Sequence, residues 1–187
     1  MGRLAISEWC RRFAQEVVKP GDLCVDATAG TGQDTVFLAR LVGERGQVLA
    51  YDIQEEALRQ TGDRLKREGL ESRVRLIQKS HVAMEEDAGE GEVSCIMFNF
   101  GYLPGGDHSI CTRPKTSVLA VDAGLRLLKS GGLMCLCIYS GKDTGYEEKA
   151  ALLTHLKELD QRQYLVIVSE YYNRKNDPPI PALIYKK

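Results

Sequence analysis

The chain has 187 residues, 43% of them hydrophobic, with 25 basic against 26 acidic side chains and a formal charge of −1. That length suits one domain covering 1–187, and the apolar fraction excludes a disordered chain. Near-neutrality excludes a chain held on nucleic acid by bulk positive charge, though a local basic patch is compatible with it, and no run reaches the roughly 20 apolar residues of a membrane-spanning helix.

In chain order, residues 4–18 carry Leu4, Ile6, Trp9, Cys10, Phe13, Ala14 and Val17 at helical spacing, and Lys19-Pro20-Gly21-Asp22 ends that helix. Strand-like and helical stretches then alternate. Leu23–Ala27 reads as a strand, Gln33 to Val42 as a helix, Gln47–Asp52 as a strand and Glu55–Glu68 as a helix. Val74–Gln78 and Val93–Phe98 read as strands, Lys115–Lys129 as a long helix, and Gly131-Gly132 as a turn into the strand Leu133–Tyr139. Residues 146–159 read as a helix, Tyr164–Ser169 as a strand, and Ala182–Tyr185 as a last strand after a Pro-rich loop. The alternation predicts an α/β fold of right-handed βαβ units, with a mostly parallel sheet and helices on both faces. In such folds the ligand lies beyond the carboxyl ends of the strands.

The six cysteines, Cys10, Cys24, Cys95, Cys111, Cys135 and Cys137, form no C-x-x-C pair and read mainly as buried reduced thiols. His81, His108 and His155 lie far apart, so no metal site is expected. The charged, interleaved N-terminus does not read as a signal peptide, and the cytoplasm is the expected location. Arg11, Arg12, Arg64, Lys66 and Arg67 read as solvated helix faces.

Chemistry concentrates at the strand ends. The first strand leads into Asp26-Ala27-Thr28-Ala29-Gly30-Thr31-Gly32-Gln33-Asp34, where the glycines allow a tight turn and a close approach to a ligand at a helix N-terminus. Twenty residues after Gly32, the second strand ends in Asp52, a carboxylate placed to accept from both ribose hydroxyls, and Gln54 follows it. Strand, turn, helix and distant acid together point to an adenosine-type cofactor. A dinucleotide fingerprint would have Gly or Ala where Thr35 stands, and would not place an acid first. The order D-x-x-x-G-x-G is that of class I S-adenosylmethionine methyltransferases, where the acid faces the cationic end of the cofactor. Lys79-Ser80-His81 follows the third strand, where an adenine ring would be edged. The fourth strand ends in Asn99-Phe100-Gly101-Tyr102-Leu103-Pro104-Gly105-Gly106-Asp107. Asn99 can accept from an amine proton, and Tyr102 offers a stacking face or is part of a plain Gly/Pro loop. Tyr139-Ser140-Gly141-Lys142 lies on the same edge, and Tyr171–Pro179 mixes aromatics with bases as an RNA-contacting loop or an ordinary hairpin would.

The segments DATAGTGQDTVFLA, YDIQ, KSH, NFGYLPGGDH and NDPPIPALI together resemble the bacterial tRNA 5-aminomethyl-2-thiouridine(34) methyltransferases, formerly labelled rRNA methylases. The resemblance runs nearly end to end. It implies a Rossmann-like seven-stranded sheet with a C-terminal antiparallel strand, and S-adenosylmethionine as cofactor. It further implies a tRNA anticodon loop as partner and methylation of the 5-aminomethyl nitrogen of wobble uridine; near-neutral charge separately leaves open a homodimer that pools two RNA-binding patches. Asp26, Gly30, Thr31, Gln33, Asp34, Asp52, Gln54, Ser80 and His81 are then expected to bind the cofactor and Asn99 to act in catalysis. The chain departs from the family at Thr31, where Asn is usual, and at Ser140-Gly141-Lys142, where a Pro-Gly-His type loop is usual. The alternatives are methylation of rRNA or of a small amine, a non-catalytic RNA-binding protein on this fold, and an NAD-binding oxidoreductase.

Overall fold

The computed structural model describes residues 5–101, 111–140 and 145–187. Alternating apolar runs and amphipathic stretches become β1 (Leu23–Asp26), α2 (Gln33–Val42), β2 (Gln47–Tyr51), α3 (Glu55–Glu68), β3 (Val74–Ile77) and β4 (Val93–Asn99), preceded by α1 (Ile6–Val17). They continue as α4 (Pro114–Leu127), β5 (Leu128–Ile138), α5 (Gly145–Glu158), β6 (Tyr164–Val168) and β7 (Ile180–Lys186). Among the described residues these strands form one sheet of order β3-β2-β1-β4-β5-β7-β6. β1 to β5 pair in parallel, while β7 runs antiparallel to both β5 and β6. The Rossmann-like class I methyltransferase topology expected from the sequence is the one observed.

Both faces of the sheet are covered, which is why β1, β4 and β5 are near-continuous apolar runs. On one face Ala120, Val121 and Leu125 of α4 and Leu152 and Leu156 of α5 pack on Ile96, Phe98, Met134 and Leu136. On the other, Ile6, Cys10 and Ala14 of α1, Val36 and Ala39 of α2 and Leu65 of α3 pack on Cys24, Val48, Cys95 and Cys135. Cys10, Cys24, Cys95, Cys135 and Cys137 are buried free thiols. The exposed pattern of β3 and β6 follows from their place at the sheet edges.

Two boundaries differ from the periodicity. β5 begins at Leu128, which pairs with Val93, and pairing resumes at Leu133 opposite Cys95. The intervening Lys129–Gly132 segment is an irregularity inside the strand, with Gly131 at φ 76°, so the Gly-Gly pair marks a bulge and not the turn before the strand. β7 begins at Ile180, two residues earlier than expected, and includes Pro181. Proline is tolerated there because the β6 ladder ends at Val168, paired with Ala182; on that side Pro181 needs only its carbonyl, which accepts from the Ser169 N–H at 3.1 Å.

Candidate active site

Strand order reverses between β1 and β4, and their carboxyl ends open a cleft there. A cavity of about 960 Å³ fills it, lined by residues that follow β1, β2, β3, β4 and β5 and by Ser7 and Arg11 of α1. Its depth and mixed lining suit a nucleoside-sized ligand together with part of a second molecule.

The turn after β1 forms one wall. Gly30 donates its N–H to Asp52 Oδ2 at 3.0 Å, and Gln54 donates to Oδ1 at 2.9 Å. The Asp52 carboxylate is thereby fixed at the end of β2 with lone pairs left toward the cavity. Gly32, at φ 77°, caps α2, and a Cβ there would lie 2.9–3.0 Å from atoms of Thr61 on α3. Close helix packing, and not a ligand, therefore requires this glycine. Thr31 lines the cavity, its carbonyl accepting from Arg64 Nε at 2.7 Å.

Below the turn lies Asp26, wholly buried. Thr35 Oγ1 donates to its Oδ2 at 2.6 Å and the Thr28 N–H to its Oδ1 at 3.2 Å. Burial, then the nearby charge of Asp34, pushes the Asp26 carboxyl up to about 7. Thr35 thus ties the first turn of α2 to β1, a polar link that the Gly or Ala of a dinucleotide fingerprint could not supply.

Asp34 stands on the cavity side of the same turn. Arg11 places Nε and Nη2 each 2.6 Å from Oδ1, and Asn99 donates Nδ2 to Oδ2 at 2.5 Å. The Asn99 N–H donates to Thr28 Oγ1 at 2.7 Å, joining the ends of β1 and β4. On the opposite wall His81 meets Phe98 and Phe100 edge-on, at centroid distances of 5.9 and 6.4 Å. Burial holds its imidazole below the usual range, so it is neutral at pH 7. Ser80 caps the short 3-10 turn His81–Glu86, and Lys79 is engaged by Glu86 and Asp87 at 3.0 Å each. Tyr139, at the end of β5, also lines the cavity, its phenol pushed up to about 12 by burial.

Residues 48–185 match the family model described as "Putative rRNA methylase". The chain belongs to this methylase family. Its fold and length follow the family closely: a crystal structure of a "putative rRNA-methylase" from Clostridium thermocellum is 42% identical, with a TM-score of 0.96 and 100% of each chain covered. A "putative methyltransferase" from Streptococcus mutans, solved in complex with SAH (S-adenosylhomocysteine), is 34% identical, with a TM-score of 0.89 and 99% of each chain covered. The chloroplastic tRNA (mnm(5)s(2)U34)-methyltransferase of Arabidopsis thaliana is 33% identical over 98% of this chain and 69% of its own length. The chain spans about half, 49%, of the ubiquinone/menaquinone C-methyltransferase of a Marinomonas strain that it also matches.

Within this family member the cavity gathers Thr31, Gln33, Asp34, Asp52, Gln54, Ser80, His81 and Asn99 from four separate stretches of sequence. Asp26 and Gly30 do not line it. Asp26 faces the buried side of the turn toward Thr35, and so does not present its carboxylate to a ligand, while Gly30 contributes its N–H to Asp52. Arg11 is the other correction: it is no solvated cation but the partner of a buried carboxylate inside the site. Ser7 and Thr112 were not foreseen either. One signal for Arg11 was present, since Ser7 and Arg11 sit four residues apart beside the apolar stripe of Ile6, Cys10 and Ala14. Tyr102, Leu103–Gly106, Asp107, His108 and Gly141-Lys142 lie outside the described residues. The donor set fits an adenosine-type cofactor: a fixed carboxylate at the end of β2, a flanking Ile53, and the open N-terminal turn of α2. Among the described residues no three His, Cys, Asp or Glu side chains group to hold a metal, and no helix is long and apolar enough to cross a membrane.

Proposed function

We propose that this chain methylates the 5-aminomethyl nitrogen of wobble uridine 34 in a tRNA anticodon loop, acting in the cytoplasm. The chain is an S-adenosylmethionine-dependent methyltransferase, and that cofactor, when bound, supplies an electrophilic methyl on a sulfonium leaving group. Asp52 would hold the ribose hydroxyls, the first turn of α2 at Gln33 the carboxylate end, and Ser80 and His81 would edge the adenine. One observation carries the choice of substrate: the match over nearly the whole chain to a plant enzyme named for tRNA U34 methylation.

The residues in place suit an amine nucleophile. An alkylamine resembles lysine, with a pKa of about 10.4, and must be neutral to attack. A cavity walled by Phe100, Ile53 and neutral His81 disfavours the ammonium form by desolvation. Asn99 has its nitrogen committed to Asp34, which leaves its carbonyl oxygen to accept an amine proton and aim the lone pair. Because the chain is nearly neutral, RNA would be held by a local patch or by two copies pooling their patches.

The family description favours a second reading, methylation of rRNA. Both are tested together by incubating the protein and S-adenosylmethionine with tRNA lacking only the final methyl, with rRNA, and with small amines, followed by nucleoside mass spectrometry. Conversion of 5-aminomethyluridine to its methylaminomethyl form in tRNA alone is the expected result. Methylation of rRNA alone, or of free amines alone, would overturn the tRNA assignment.

A further inference from the structure

The side chain of Asn99 is nearly symmetric in shape but not in chemistry, since one end donates and the other accepts. Both orientations fit the same space, and only the one with the carbonyl toward the cavity can serve an amine. Something must choose between them. Asp34 does so, because a carboxylate only accepts and so draws the Nδ2 end toward itself. Its side chain is just 6% exposed, so protein partners rather than water set the direction of this carboxylate. A carboxylate free to rotate would not hold Nδ2 in one place, and the amide could turn over.

Arg11 closes this gap. Both of its contacting nitrogens converge on Oδ1, leaving Oδ2 wholly to Asn99. The guanidinium is held in turn over the ring of Phe37, 5.6 Å from its centroid, and by α1, whose Cys10 and Ala14 are fully buried. Among the described residues, the Asp34 charge is felt by Asp26 after β1, by Cys10 on α1, and by Cys137 and Tyr139 on the β5 side. Arg11 is the cation that makes direct contact with it.

We infer that Arg11 is a positioning residue, which fixes the Asp34 carboxylate with Oδ2 toward the Asn99 amide nitrogen and thereby turns the Asn99 carbonyl toward the methyl-accepting nitrogen. The inference rests on the amine-methylation reading for its purpose, but the orientation itself is measurable without any substrate. The side-chain amide protons of Asn99, assigned by their loss in Asn99→Ala, should be shifted and exchange-protected in the wild type. In Arg11→Met they should move to ordinary mobile-amide positions. In Arg11→Lys they should stay, because contacts converging on one oxygen ask for a charge and not a two-pronged fork. The lysine variant also tests the inference should the methionine variant fail to fold. Unchanged Asn99 resonances in Arg11→Met, or mobile ones in Arg11→Lys, would overturn it.

Kinetics separate this role from RNA binding. Arg11→Met should lower kcat on tRNA by roughly ten- to a hundredfold, the scale of one misplaced polar group, with KM for tRNA and SAH affinity little changed. Arg11→Lys should recover most of the rate. A raised KM at unchanged kcat would make Arg11 an RNA contact and remove the positioning role. If wild-type protein leaves tRNA unmethylated, the proposed function falls, and the amide resonances still decide whether Arg11 orients Asn99.

Discussion

Asp26→Asn distinguishes a buried anchor from a cofactor contact. In the folded chain the Asp26 carboxyl is pushed from 3.8 up to about 7 by burial and by the charge of Asp34. Between those values the folded state holds a proton that the unfolded chain has lost. Stability contributed by this group is therefore fully present below about pH 4 and is lost as pH rises through about 7. At about 1.4 kcal/mol per pH unit, the loss across that window is at most about 4 kcal/mol. Asparagine keeps the size and an oxygen that can accept from Thr35, and it does not titrate. Urea unfolding of both proteins from pH 4 to 8 should show the wild type losing stability relative to Asp26→Asn as pH rises, most steeply between pH 4 and 7. Comparing the two cancels the opposite trend of ion-paired carboxylates such as Asp22 and Asp87, which burden both proteins equally. A difference flat across pH would refute the buried-acid account. SAH affinity should change little, since Asp26 does not reach the cavity; a loss of tenfold or more at pH 7.5 would return Asp26 to the cofactor site.

Asp52→Ala removes the carboxylate that two backbone N–H groups hold at the cavity wall, and calorimetry should show SAH affinity down by roughly ten- to a hundredfold; unchanged affinity would remove Asp52 from the site. Asn99→Ala should leave SAH affinity nearly intact and lower turnover on tRNA by about a hundredfold, and wild-type turnover would make the end of β4 mere scaffold. Gly32→Ala forces a Cβ against Thr61 at a positive φ and should cost about 1–3 kcal/mol in urea unfolding, whereas a change under about 0.5 kcal/mol would mean that α3 yields freely. Binding of tRNA should weaken with salt along a shallow slope, as few phosphate contacts require; a slope near that of ten ion pairs, or none, would contradict the near-neutral surface.

The sheet was legible because its strands are apolar runs bounded by Gly, Pro and charged residues, and because the helices between them carry apolar stripes. The register at Lys129–Gly132 was not, since a bulge and a turn use the same glycines. In the site, spacing from the glycine turn located Asp52, and the end of the fourth strand located Asn99, since positions at strand ends follow from topology. The direction in which Asp26 points was hidden, because a residue at the end of a strand can face either side of the turn that follows. Arg11 was hidden for a different reason. It comes from a helix outside the alternating units, and no periodicity says over which end of the sheet such a helix will pack.

The two acids of the first turn show how one short segment serves fold and site together. Asp26 and Asp34 lie close enough for each to feel the other's charge, and both are shielded from water. Two like charges in such a place are costly unless each is treated separately. Asp26 takes a hydroxyl from Thr35 and a pKa raised to about 7, so that it carries a proton much of the time as a strut between β1 and α2. Asp34 takes a guanidinium and remains an acceptor for Asn99. Moving Arg11 away would therefore leave the Asp34 carboxylate without the cation that holds its direction. The acid that orients the site depends on α1, so the N-terminal helix is as much a part of the site as the glycine turn it covers.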